Sequence, residues 1–284
     1  MITKIENVAM VELNRGDLVY KRYIGVLFLI PFLILILLGN IPLVLGILMV
    51  SLLALKEFYS AIKLKNYKPY DYIGYTMSVI YYILIALKIK SEFTIFIILL
   101  FIIIQFALLI TSQEHNFIDI LLTVFGFLYI SIPFSFIVLI SFKANGRYLF
   151  WLIFISAWST DTFAYYIGKN FGKHKLLPLV SAKKTIEGSI AGILGSIILC
   201  STYGIILNTY ILKFPYPIYN FLIIGVIGGI VCQIGDLAAS SIKRYVNIKD
   251  YSNIIPGHGG ILDRFDSILF ASVIVYYYIV FFMV

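Results

Sequence analysis

The segment 240–266 carries the densest set of chemically useful side chains in the sequence. It combines four Lys or Arg, three Asp, one His and a Pro-Gly-His-Gly-Gly turn between two apolar stretches. Packing between apolar helices gives no reason for this density of charge. Carboxylates beside basic side chains, with glycines that let backbone N–H groups approach a ligand, are typical of sites that bind phosphates with a metal ion. We therefore expect phosphate and metal chemistry here.

Two more aspartates stand inside apolar stretches, Asp161 in S-T-D-T-F and Asp236 in Q-I-G-D-L. An ionisable residue in a membrane-spanning helix costs about 2.5–3.5 kcal/mol on insertion scales, so such residues most often serve function. Asp263 and Asp266, three residues apart, share one helix face. These four are the candidate metal ligands and catalytic residues, and Mg²⁺ suits their hard oxygen atoms. His258 is either a general base or phosphate contact, or a turn residue that bonds the loop backbone.

The candidate substrate contacts come from two basic blocks, S-A-K-K-T-I-E-G and the charged segment itself. Basic residues beside a membrane also bind anionic lipids or determine topology, but these are interleaved with glycines and acids. A structural alternative is that Lys243, Arg244 or Arg264 form ion pairs with the aspartates, and both interpretations can hold together. The candidate substrate-binding residues are Lys183, Lys184, Glu187, Ser240, Lys243, Arg244, Lys249, Gly259, Gly260 and Arg264.

The rest of the sequence places these residues in a membrane. Of the 284 residues 61% are hydrophobic and 13% charged, whereas about a quarter of the residues in soluble domains are charged. The composition indicates an all-α polytopic membrane protein, and the net charge of +8 then reflects basic loops rather than nucleic-acid binding. With about 20 apolar residues for each span, we predict nine spans, at 22–38, 41–55, 72–88, 93–111, 117–141, 148–168, 186–207, 218–239 and 265–283.

The distribution of basic residues predicts the orientation of these spans. If the N-terminus is cytoplasmic and the C-terminus outside, 17 of the 22 Lys and Arg fall on the cytoplasmic side. The four candidate aspartates then lie near the cytoplasmic face at similar depth. Acidic residues of the N-terminal half, such as Glu57 and Asp119, fall in loops or at span ends, and we interpret them as solvated. Pro133, inside the fifth span, is expected to kink it.

The chain divides into two predicted parts. Residues 148–284 hold spans six to nine with their cytoplasmic loops and are expected to be catalytic. Residues 1–147 hold the first five spans, for which two roles stay open, a groove for lipid tails or a homodimer interface.

The charged segment resembles the signature of the phosphatidate cytidylyltransferases, also called CDP-diacylglycerol synthases. The blocks 181–188 and 233–237 and the Asp161 segment also resemble the family, although Ala182 and Ile186 stand where it usually has Pro and Trp. We interpret that departure as altered local packing. The signature positions that match are Ser240, Ile242, Lys243, Arg244, Lys249, Asp250, Ser252, Ile255, Pro256, His258, Gly259, Gly260, Ile261, Asp263, Arg264, Phe265 and Asp266.

The resemblance implies that CTP and phosphatidate react to CDP-diacylglycerol and pyrophosphate. The site would lie on the cytoplasmic side of a bacterial inner membrane or an equivalent membrane. Mg²⁺, with or without K⁺, is the implied cofactor, with Asp236 and Asp263 as first choices for its ligands and Asp161 and Asp266 next. One alternative is a CTP-dependent transferase acting on an ether or isoprenoid lipid phosphate. A cation-coupled transporter is disfavoured because its site would lie near the midplane between repeats.

Overall fold

The computed structural model describes residue 35 and residues 38–283, apart from 113, 179, 213, 214, 256 and 258. Most of the predicted span 22–38, and the candidate residue His258, therefore lie outside the described residues. The helices are α1 (Asn40–Lys63), α2 (Asp71–Ala86), α3 (Ser91–Thr111), α4 (Phe117–Gly126), α5 (Ile132–Ser141), α6 (Gly146–Leu149), α7 (Trp151–Phe171), α8 (Ile186–Tyr210), α9 (Ile218–Tyr245) and α10 (Leu262–Phe282). Two strands, β1 (Lys175–Leu177) and β2 (Ser181–Thr185), lie between α7 and α8.

The structure confirms a mostly helical protein with several helices that are long and apolar enough to span a membrane. Among the described residues, six segments are long and apolar enough to cross a membrane, namely α1, α3, Phe117–Ser141, α8, α9 and α10. Helix α2 has only 16 residues, and the polar run around Asp161 makes α7 less apolar. The number nine and the orientation of the termini stay predictions.

Several span boundaries differ from the prediction. Helix α1 continues to Lys63, so residues 56–63, predicted as loop, are helical. The span 117–141 is helical throughout, but Phe127–Ser131 form a π-helical turn just before Pro133. Proline has no backbone N–H for the regular helical pattern, and irregular turns accommodate that loss.

Helices α7, α8 and α9 pack closely because glycines line their contacts. A Cβ atom added at Gly188 of α8 would lie 2.7 Å from the carbonyl oxygen of Ala164 in α7. One added at Gly225 of α9 would lie 2.6 Å from the Cα atom of Ile197 in α8. Small residues let the backbones of membrane helices approach in this way.

The N-terminal helices form a second group, joined by buried hydroxyl contacts. The Ser131 hydroxyl lies 2.9 Å from that of Ser51 in α1 and 2.7 Å from that of Ser78 in α2. Helix α10 connects this group to the glycine-lined helices, because the Ser272 hydroxyl donates to the Pro133 carbonyl oxygen at 2.7 Å.

The all-α prediction needs one correction, the β1–β2 hairpin. The two strands pair antiparallel, and β2 carries Lys183 and Lys184. The hairpin leads directly into α8, whose first turn is capped by the Thr185 hydroxyl accepting from the Gly188 N–H at 3.2 Å. The capping contact joins β2, which carries the two lysines, to the first turn of α8.

Candidate active site

A cavity of about 600 Å³ lies where α7 ends, the hairpin folds back and α8 begins. Two carboxylates line it, Asp161 and Asp236, together with four basic side chains, those of Lys169, Lys175, Lys183 and Lys184. Positive charge therefore exceeds negative charge on its walls. We call it the basic cavity.

Asp161 and Asp236 reach the basic cavity from two helices. Asp161 is exposed on α7, and Asp236 lies on α9, where it forms an ion pair with Lys184 of the hairpin. The Ser240 hydroxyl, one turn further along α9, donates to Asp236 at 3.3 Å. Asp161 interacts electrostatically with Asp236, and also with Lys184 and Arg264. The cavity thus brings together carboxylates and cations from α7, β1, β2 and α9.

Glu187, a predicted substrate contact, holds the hairpin in place. Its carboxylate accepts the backbone N–H of His174 at 3.2 Å, and its Oε1 atom lies 2.7 Å from Nδ1 of the His174 ring. These contacts join the start of the hairpin to the start of α8. Glu187 therefore supports the placement of the hairpin lysines that line the cavity.

Asp263 is engaged with the loop between α9 and α10, residues 246–261, called here the α9–α10 loop. One carboxylate oxygen accepts the Lys243 ammonium at 2.6 Å, and the other accepts the N–H groups of Tyr251 and Gly260 at 2.8 and 3.0 Å. Burial raises the pKa of Tyr251, and its hydroxyl donates to the Ala239 carbonyl oxygen at 3.3 Å. Asp263 thus joins the loop to α9 and α10.

Asp266 is buried between α9 and α10. Its carboxylate accepts the N–H of Ser267 at 2.7 Å and interacts electrostatically with Asp236 and Asp161. The helices are close here, since a Cβ atom at Gly235 would lie 2.6 Å from the Asp266 carbonyl oxygen. Asp266 therefore interacts electrostatically with the two cavity carboxylates from outside the cavity lining, whereas the carboxylate of Asp263 contacts the loop.

The interpretation of Glu57 and Asp119 as solvated acids is wrong. Glu57, in α1, is only 3% exposed and accepts the N–H groups of Ile261 and Leu262. Asp119 is 1% exposed and accepts the Lys68 N–H at 2.7 Å. Both carboxylates bond backbone groups far away in sequence, which no local pattern reveals.

The comparison with known proteins decides the family. A model described as the cytidylyltransferase family matches residues 20–282. The chain belongs to the cytidylyltransferase family. It is 31% identical over 273 residues to a phosphatidate cytidylyltransferase of Bacillus subtilis (strain 168), covering 92% of this chain and 97% of that protein. This cytidylyltransferase is therefore an enzyme that transfers nucleotidyl groups.

Two further relatives are similar over a shorter length. A phosphatidate cytidylyltransferase of Staphylococcus haemolyticus (strain JCSC1435) is 36% identical over 170 residues, 60% of this chain and 62% of the relative. One of Rickettsia conorii (strain ATCC VR-613 / Malish 7) is 41% identical over 153 residues, 53% of this chain and 66% of the relative.

The carboxylates of the basic cavity would fit a magnesium ion that shares its coordination with a phosphate ligand. Within the part of the chain that the structure describes, no three His, Cys, Asp or Glu side chains converge into a ready metal site. Mg²⁺, however, is commonly held by one or two carboxylates plus substrate phosphates. Asp161 and Asp236, which face the same cavity, supply that number of hard oxygen ligands.

The remaining candidates do not line the cavity within the described residues and lie in the α9–α10 loop or at the adjoining ends of α9 and α10. Arg244, Lys249 and Arg264 are exposed, and Gly259 adopts a φ of 85° that favours glycine. Two residues that line the cavity, Lys169 in the last turn of α7 and Lys175 at the start of β1, were not among the residues predicted from the sequence. Both lysines precede Lys183 and Lys184 in one lysine-rich stretch of the sequence, and this clustering of basic residues could have identified them.

Proposed function

We propose that this enzyme transfers the cytidylyl group of CTP to phosphatidate, giving CDP-diacylglycerol and pyrophosphate. The observation that carries the proposal is the basic cavity, in which two carboxylates and four lysines meet at one end of a bundle of apolar helices. Its volume lies within the roughly 300–1,000 Å³ that is usual for small-ligand sites. The names of the relatives supply the substrates.

The reaction needs little more than alignment and neutralisation of charge. A phosphate oxygen of phosphatidate attacks the α-phosphorus of CTP and forms the new P–O bond. The bond from that phosphorus to the oxygen bridging to the β-phosphate breaks, and pyrophosphate leaves with the electron pair. The attacking oxygen is already an anion, so no strong general base is required, and Lys183 and Lys184 would hold and neutralise the triphosphate.

Asp161 and Asp236 are the proposed ligands of Mg²⁺, with Asp266 buried beside them and Asp263 as a further candidate. The ion, when bound, would neutralise charge on the phosphate oxygens and on the leaving pyrophosphate. Lys184 pairs with Asp236, so this lysine would turn towards the phosphates as the carboxylate takes up its ligand role. We also propose that a K⁺ ion can bind beside Mg²⁺ at this site.

We place the site at the cytoplasmic surface of the membrane, where cytosolic CTP meets a lipid phosphate at headgroup depth. An apolar stripe on α8 supports a lipid substrate. Ile190, Leu194 and Ile198 are exposed at a spacing of four residues, so they lie on one face of the helix that begins beside the cavity. Acyl chains would lie along this face. We also propose that the N-terminal helices can form the interface of a homodimer.

The test is release of pyrophosphate from CTP by the purified protein in mixed micelles containing phosphatidate and Mg²⁺. We expect release that requires both the lipid and Mg²⁺ and that falls about 100-fold or more in Asp161→Asn and Asp236→Asn, as when one charge-stabilising group is lost. Glu92→Gln, at an exposed acid that begins α3, is the matched control and should behave as wild type.

Other outcomes would revise or reject the proposal. Release with an ether or isoprenoid lipid phosphate but not with phosphatidate would keep the chemistry and change the substrate. No release with any lipid phosphate, from protein shown to be folded, would refute the transferase and return attention to a cation-coupled transporter.

A further inference from the structure

Glu57 is a buried carboxylate that α1 supplies to the α9–α10 loop. Its Oε1 atom accepts the Ile261 N–H at 2.9 Å and the Ser252 hydroxyl at 2.5 Å, and its Oε2 atom accepts the Leu262 N–H at 2.7 Å. These partners stand 195 to 205 residues further along the chain. The N-terminal helices thus contact the segment that carries the candidate catalytic residues.

The two N–H groups that Glu57 accepts lie at the start of α10. The first N–H groups of a helix have no partner within it, and a carboxylate near them is further stabilised by the helix dipole. The residue at the helix start, Ile261, provides no side-chain cap. Glu57 therefore takes the place of the missing cap, from a different part of the sequence.

Gly260 is fitted to the same carboxylate. A Cβ atom at Gly260 would lie 2.7 Å from both carboxylate oxygens of Glu57, so a side chain there would push the carboxylate away. The N–H of Gly260 donates to Asp263 at 3.0 Å. Two carboxylates, Glu57 and Asp263, thus hold the end of the loop, and the helix that starts there carries Arg264 and Asp266.

We infer that Glu57 is a positioning residue of the transferase. It does not line the basic cavity within the described residues, so it acts through the loop and the first turn of α10. By holding that turn, it keeps Arg264 and Asp266 in register with Asp161 and Asp236. The inference rests on the proposed function, and its test includes a measurement that does not depend on activity.

The main variant is Glu57→Gln, which keeps the shape of the side chain. The amide has one acceptor oxygen for three donors, and its NH₂ group would face a donor. We expect kcat at saturating CTP to fall about tenfold or more, the range for losing a hydrogen bond to a charged group. Glu57→Asp, which keeps the charge but shortens the reach, should recover part of that loss.

Asp119→Asn is the matched control. Asp119 is also buried and accepts backbone N–H groups, those of Lys68 and Asn116, but among the described residues it forms no hydrogen bond to the α9–α10 loop. This variant should lower the unfolding temperature while kcat of the folded enzyme stays within about twofold of wild type, since it loses no contact to the site. Equal losses of kcat in Glu57→Gln and Asp119→Asn would overturn the inference.

Hydrogen–deuterium exchange provides the readout independent of turnover. We expect peptides covering residues 252–262 to exchange faster in Glu57→Gln than in wild type or in Asp119→Asn, and unchanged exchange there would overturn the inference. If wild type shows no turnover with phosphatidate, the proposed function fails, while the exchange difference still decides whether Glu57 holds the loop.

Ser252→Ala keeps the inference testable if Glu57→Gln does not fold. It removes one of the three donors and leaves the carboxylate with its two backbone partners. We expect faster exchange in residues 252–262 and a fall in kcat of about two- to tenfold, as for one ordinary hydrogen bond. No change in either quantity would contradict a positioning role for Glu57.

Discussion

Asp263→Asn tests how much the α9–α10 loop depends on one carboxylate. The Asp263 side chain is 2% exposed and that of its partner Lys243 is 13% exposed, so the ion pair is nearly dry. Removing one partner of a buried pair costs about 3–5 kcal/mol because the other charge is left uncompensated. The asparagine oxygen can still accept the N–H groups of Tyr251 and Gly260, and Lys243 retains some access to water. We therefore expect Asp263→Asn to lower the free energy of unfolding by about 3 kcal/mol, the lower end of this range.

The assay is thermal unfolding of the purified protein in detergent. In a large domain, each kcal/mol lost from the free energy of unfolding lowers the unfolding temperature by about 2–4 °C. A loss of about 3 kcal/mol should therefore lower it by about 6–12 °C. Lys243→Met should lower the free energy of unfolding by a smaller amount, because Asp263 keeps its two backbone donors. The double variant should be more stable than the sum of the two single losses predicts, because the two residues share one interaction. An unchanged unfolding temperature in Asp263→Asn, with complete loss of Mg²⁺-dependent turnover, would refute this reasoning and assign the carboxylate to the metal instead.

Two further substitutions test the packing and charge of the basic cavity. Gly188→Ala should lower the free energy of unfolding by about 1–3 kcal/mol, because its methyl group would meet the Ala164 carbonyl oxygen; a thermal melt identical to wild type would contradict the close helix contact. Lys184→Met should raise the KM for CTP about tenfold or more, since it removes a cation from the cavity and from Asp236. Lys90→Met, at the exposed start of α3, is its control, and equal CTP affinity of both variants in calorimetry would count against the phosphate role of Lys184.

Much of the helical architecture follows from local apolar patterning. The predicted spans 117–141 and 93–111 nearly coincide with the helices Phe117–Ser141 and Ser91–Thr111, because a run of about 20 apolar residues has few other solutions in a membrane. Asp161 and Asp236 could also be identified as candidate site residues from the sequence, because a carboxylate inside an apolar run is rare and usually functional.

The parts that could not be predicted depend on contacts distant in sequence. Glu57 stands near the end of its helix among polar neighbours, where an acid is usually solvated, and its partners are about two hundred residues away. The β1–β2 hairpin has strands of three and five residues, too short for alternation to identify them. The contacts of Asp263 with the N–H groups of Tyr251 and Gly260 depend on the path of the loop, which helix periodicity does not determine.

The contact between α1 and the α9–α10 loop also bears on how the protein is made. Ribosomes add about 5–20 residues each second, so roughly 10–40 s pass between the synthesis of Glu57 and that of its partners around Leu262. During that interval the carboxylate has none of the three donors that it bonds in the finished protein. A nascent chain interrupted before α10 would therefore carry, near the end of α1, a carboxylate that lacks its three donors, a feature by which quality control in the membrane could distinguish it from a completed enzyme.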